Sequence, residues 1–194
     1  MTIAIVTCLI LVLAIIRIKS NQNLMKKISD LKIKTAPKFD SLSKIMGQEI
    51  GFQNKIIELI SSYDTVNANK LIDSAIKQNP TQSIFYTYKG MIYIAENNPY
   101  KAIAEYNLSL NLEKTPSPLA LVKRGEAYIK IKKIKDAIAD FRVAASINPD
   151  YFYQLAQAFE MLPNKDSALK YYILFRNNYP TNKAVNKKIK ALFN

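Results

Sequence analysis

One spacing recurs along this chain and limits what it can fold into. It is clearest in the stretch 118–150, PLALVKRGEAYIKIKKIKDAIADFRVAASINPD. From Gly125, Tyr128 lies 3 residues on, Ala137 12, Phe141 16, Ala144 19 and Pro149 24. Small residues at Gly125, Ala137 and Ala144 let two helices approach closely, and Tyr128 and Phe141 fill the gaps beside them. Pro149 stops the second helix, because proline lacks an N–H and clashes with the preceding turn. The pattern predicts two helices broken near Lys132 and Lys133.

The offsets recur three more times. Upstream lie Gly90, Tyr93, Ala102, Tyr106 and Ser109, with Lys114 where Pro is expected. Earlier come Ile56, Leu59, Ala68, Ile72, Ala75 and Pro80; downstream come Ala156, Phe159, Ala168, Tyr172, Phe175 and Pro180. The pattern starts at Ile56, Gly90, Gly125 and Ala156, so two nearly equal steps are followed by a slightly shorter one. This pattern resembles the tetratricopeptide repeat (TPR) family, whose period is about 34 residues. The resemblance implies an all-α fold: a right-handed α-solenoid of about four helix pairs over 49–82, 83–117, 118–150 and 151–182. The physical reason is that one helix pair cannot bury its apolar face alone, whereas stacked pairs can. Residues 183–194 are expected to form a capping helix, with Ala184, Val185, Ile189, Leu192 and Phe193 as its apolar face. Helix breaks are expected near 63, 80, 97, 115, 132, 149, 163 and 181. Asp64 and Asn98 are the expected N-caps, and Asn164 or Asp166 with Pro163 serves the fourth repeat. Asn107-Leu-Ser109 fits a glycosylation pattern but falls mid-helix, so it is set aside.

Residues 1–16, MTIAIVTCLILVLAII, carry no charged side chain. As helix they span about 24 Å, slightly short of a ~30 Å hydrocarbon core. Ile18 extends the run if Arg17 snorkels. A cleavable signal peptide would want basic residues before the run and small residues after it. Here the charges follow, so the expectation is an uncleaved transmembrane anchor over 1–18. Arg17, Lys19, Lys26 and Lys27 flank its C-terminal end. That places the solenoid of a single-pass membrane protein on the cytoplasmic side. Residues 19–48 read as a basic juxtamembrane linker, either lying on anionic lipid or acting as a solvated spacer.

Charge concentrates at the two ends. Residues 17–48 carry 8 Lys/Arg against 2 acids, residues 49–164 carry 13 against 12, and residues 165–194 carry 7 against 1. The absence of His excludes His-dependent acid–base catalysis, Ser–His–Asp triads and His metal sites. The lone Cys8 cannot form an intramolecular disulfide. No phosphate-binding glycine motif occurs. The chain is therefore read as a non-enzyme without cofactor or metal.

In TPR proteins the first helix of each repeat lines a concave groove. By register the groove candidates are Thr87, Met91 and Ile94 in the second repeat. The third contributes Val122, Lys123, Glu126, Ile129 and Lys130, and the fourth Tyr153, Gln157 and Glu160. The Lys, Asn and Arg clamp with which one TPR subclass grips chaperone tails is absent, with Thr87 and Met91 among the corresponding positions. The leading reading is a membrane-anchored scaffold that holds a peptide or helix of a partner protein, with assembly of a membrane complex as one setting. The second is a permanent accessory subunit of a membrane complex. A third, nucleic-acid binding through the basic C-terminal helix, is disfavoured by the even charge of the groove. The sequence leaves the oligomeric state open.

Overall fold

The computed structural model describes residues 51–193, together with Lys26. The chain divides into two compact units, Met1–Asn54 and Lys55–Asn194, and the second carries the repeats. The expected anchor over 1–18 and most of the linker lie outside the described residues. Among the described residues, no helix is long and apolar enough to cross a membrane.

The second unit is helical hairpins joined by short turns, with no strand among the described residues. Helix α1 is described over residues 51–61. It is followed by α2 (Thr65–Gln78), α3 (Ser83–Ala95), α4 (Pro99–Asn111), α5 (Pro118–Lys130) and α6 (Ile134–Ile147). A 3₁₀ turn at Pro149–Tyr151 leads into α7 (Phe152–Glu160), then α8 (Lys165–Asn178) and α9 (Lys183–Phe193). The breaks fall where the repeat spacing puts them. From α2 to α9 each helix packs on its neighbours in sequence, and α3 also meets α5, as stacked hairpins require.

The recurring positions are the core. Ala68, Ala102, Ala137 and Ala168 have no exposed surface, nor do Ile72, Tyr106 and Tyr172, while Phe141 is 1% exposed. Gly90 and Gly125 mark close helix approaches. A Cβ on Gly90 would lie 2.7 Å from Tyr106 Cδ1, and one on Gly125 would lie 2.9 Å from Phe141 Cζ. No real Cβ tolerates such contacts, so each aromatic ring occupies the space of the missing side chain.

Local chemistry ends and starts the helices. Tyr63, Asn97 and Lys132 share one position of the repeat, and all three have positive φ, 58°, 56° and 62°. This left-handed residue reverses the chain between paired helices. In the fourth repeat the same position is Pro163. Proline cannot take positive φ, and the turn closes instead through Asn164 N donating to Leu162 O at 2.7 Å. Asp64, Asn98, Ser117 and Asn164 cap the next helices by accepting from backbone N–H groups at 3.1–3.4 Å.

Candidate functional site

The first helices of the first three repeats border a hollow of about 420 Å³. Met91 and Ile94 of α3 form its apolar side, and Lys123, Glu126 and Lys130 of α5 its polar side. Ile60 and Ser61 of α1 and the turn residue Tyr63 close the remaining edge, and Tyr106 of α4 reaches it from beneath. Lys123 Nζ donates to Glu126 Oε2 at 2.8 Å, one helical turn away. Lys130 is exposed and takes part in none of the ion pairs among the described residues. Among the described residues the hollow therefore carries a neutralised pair and one cation outside any ion pair.

Tyr106 has no exposed surface, yet its hydroxyl has no hydrogen-bond partner among the described residues. Burial pushes its phenol well above the ordinary tyrosine value, and the charge of Glu126 adds to the shift.

Five of the eleven sequence candidates thus meet in one place: Met91, Ile94, Lys123, Glu126 and Lys130. Thr87 and Val122 do not line a groove, and their placement is corrected. Thr87 is fully buried and shares a 2.7 Å hydrogen bond with Ser109, while Val122 is 3% exposed in the core. Each lies just under one helical turn before a seam glycine, so helical geometry turns it onto the seam rather than away from it. Ile129 packs against the same core.

The fourth-repeat candidates lie apart from this hollow. Tyr153 borders a second hollow of about 410 Å³ with Asp150, Gln154, Phe175 and Tyr179. Its ring meets that of Tyr172 edge-on at 5.7 Å. Gln157 is half-buried. Glu160 is engaged within the fold: Tyr172 Oη donates to it at 2.5 Å and Lys188 Nζ of α9 at 2.9 and 3.0 Å.

One polar cluster was not anticipated. Arg124 donates from Nε and Nη2 to the two Asp140 oxygens at 2.8 and 2.6 Å, and from Nη1 to Asn107 Oδ1 at 2.6 Å. It also lies over the Tyr128 ring at 5.9 Å. The network ties α4, α5 and α6 together. An acid amid the apolar residues of α6 was the available signal, because a carboxylate on that face needs a partner. Among the described residues no three acidic or cysteine side chains converge as a metal site would require.

Two tetratricopeptide-repeat family models match the chain, over residues 119–151 and 150–182. No match is found among the curated proteins. Solved structures share the fold. A tetratricopeptide repeat protein from Parabacteroides merdae is 18% identical over 73% of this chain and 57% of its own, with a TM-score of 0.62. MamA is 20% identical over 70% of this chain and 81% of its own, with a TM-score of 0.61. The first TPR of Spaghetti (RPAP3), solved bound to an HSP90 peptide, is 20% identical over 57% of this chain and 90% of its own, with a TM-score of 0.53. Tetratricopeptide-repeat family models thus match residues 119–182, and solved tetratricopeptide-repeat structures share the fold over a longer stretch.

Proposed function

We propose that the hollow between α1, α3 and α5 docks a peptide or helical segment of a partner protein, and that residues 1–18 anchor this scaffold in a membrane with the repeats on the cytoplasmic side. The observation that carries the docking reading is the composition of the hollow. It sets the side chains of Met91 and Ile94 of α3 beside Lys123, Glu126 and Lys130 of α5. Met adapts its shape to an inserted side chain, and the polar edge fixes orientation and speeds encounter. A peptide-bound TPR structure among the similar folds supports this reading. The anchor rests on the uncharged run 1–16 and the basic residues after it. Together they would hold a partner at a membrane surface, as assembly of a membrane complex requires.

The test is crosslinking and recovery of partners from membranes bearing the full-length chain. Met91→Ala combined with Lys130→Glu is expected to lower recovery about tenfold, the equivalent of losing one anchor contact, with helicity unchanged. Undiminished recovery would remove the hollow from the binding surface. For topology, a reporter fused after Asn194 that is active only outside the cytoplasm should stay silent.

A further inference from the structure

The chain contains a completed version of a site that it leaves incomplete elsewhere. In the fourth repeat, buried Tyr172 donates to Glu160, and Glu160 is in turn held by Lys188. Counted from the starts of their repeats at Gly90 and Ala156, Tyr106 and Tyr172 occupy one position, and Ile94 and Glu160 another. The second repeat therefore has the same buried tyrosine but an isoleucine where the carboxylate would be. Tyr106 accordingly has no acceptor among the described residues, although it is fully buried at the edge of the hollow. By distance from its helix start the counterpart of Lys188 is Lys123, which is bonded to Glu126, but a second cation, Lys130, borders the same hollow without an ion-pair partner among the described residues. Among the described residues the carboxylate lining it, Glu126, is already bonded to Lys123.

We infer that this hollow recognises a glutamate or aspartate side chain on the docked segment, whose carboxylate accepts from the Tyr106 hydroxyl and pairs with Lys130. The assignment rests on the docking reading and specifies its chemistry. A buried donor without an acceptor costs free energy that a fitted carboxylate recovers, and a hydrogen bond to an ionised acceptor is the stronger kind. Met91 can shift to admit the side chain, because an unbranched thioether has low rotamer barriers. The raised pKa of Tyr106 is consistent with this role, since the phenol keeps its proton and remains a donor throughout the physiological range.

The probe is N-acetyl-glutamate methylamide, titrated into the full-length chain and read by the methyl resonance of Met91 and the ring resonances of Tyr106. The matched control is N-acetyl-glutamine methylamide. Saturable shifts with the glutamate probe are expected, with the glutamine probe about tenfold weaker. Tyr106→Phe and Lys130→Glu should each weaken the glutamate probe to the level of its control, and Glu126→Gln should strengthen it by removing a competing charge. Ile94→Glu is the second line of test, independent of whether Tyr106→Phe folds. It rebuilds the arrangement of Glu160 within the chain and should abolish probe binding while helicity is retained. Equal response to the two probes, no saturable response, or an Ile94→Glu chain that binds like the parent would each overturn the inference. Partner recovery separates it from the docking reading. If Met91→Ala with Lys130→Glu lowers recovery and Tyr106→Phe does not, docking stands and carboxylate recognition falls. Recovery indifferent to all three substitutions rejects both.

Discussion

Asp140 holds α6 to α5 in the middle of the stack. Its side chain is 7% exposed and both oxygens are held by Arg124. Asp140→Ala would leave the guanidinium with its main acceptor gone beneath the surface, and the chain should lose about 3 kcal/mol of stability in denaturant unfolding. Replacing Arg124 and Asp140 together with apolar residues of similar volume should cost much less, because no uncompensated charge remains. At the seam, Gly125→Leu should cost about 1–3 kcal/mol through overpacking against Phe141. The left-handed turns predict the opposite sign. Lys132 holds φ at 62° with a full side chain, so Lys132→Gly should relieve about 1 kcal/mol of backbone strain and raise the denaturation midpoint. These residues differ in how visible they are beforehand. Gly125 is legible because a small residue at fixed offsets has one structural meaning. Arg124 and Asp140 lie on different helices, α5 and α6, and nothing in the repeat spacing joins them.

Among the elements, α9 closes the stack and is the clearest separable part. It buries Val185 completely and Ile189 to 4% exposure, while Phe193 remains 68% exposed. Removing residues 183–194 should therefore cost about 3 kcal/mol or more from these two side chains, and it would also strip Lys188 from Glu160. Lys188→Ala alone should cost only about 0.5 kcal/mol, since the lysine is 44% exposed and solvent screens the pair. Thermal or urea unfolding of both variants distinguishes a packing role for α9 from an electrostatic one. Helix existence and boundaries were legible at this scale, because caps and prolines act locally: Asp64, Asn98 and Asn164 all start helices where expected. Side-chain direction was less legible. The register put Thr87 and Val122 beside Met91 and Ile94, although their three-residue spacing from Gly90 and Gly125 turns them onto the seam, where both are buried.

For the repeat unit, two fully buried phenols, those of Tyr106 and Tyr172, make stability depend on pH at the alkaline end. Burial raises Tyr106 far above the ordinary value of 10.0, with Glu126 adding to it. Burial does the same to Tyr172, reinforced by its bond to Glu160. In the unfolded chain both phenols lose their protons near pH 10, whereas in the fold they keep them well beyond it. Below pH 10 both states are protonated and the contribution is fully present. Above it the folded state binds more protons than the unfolded one, so stability falls as pH rises toward the folded pKa values. Each phenol steepens the fall by up to about 1.4 kcal/mol per pH unit. Unfolding free energies measured from pH 8 to 12 should therefore drop steeply above 10. The Tyr106→Phe, Tyr172→Phe double variant should follow a shallower line once each series is referenced to its own value at pH 8, which removes the direct cost of losing the hydroxyls. Parallel slopes for parent and double variant would mean that the two phenols titrate alike in the folded and unfolded chain.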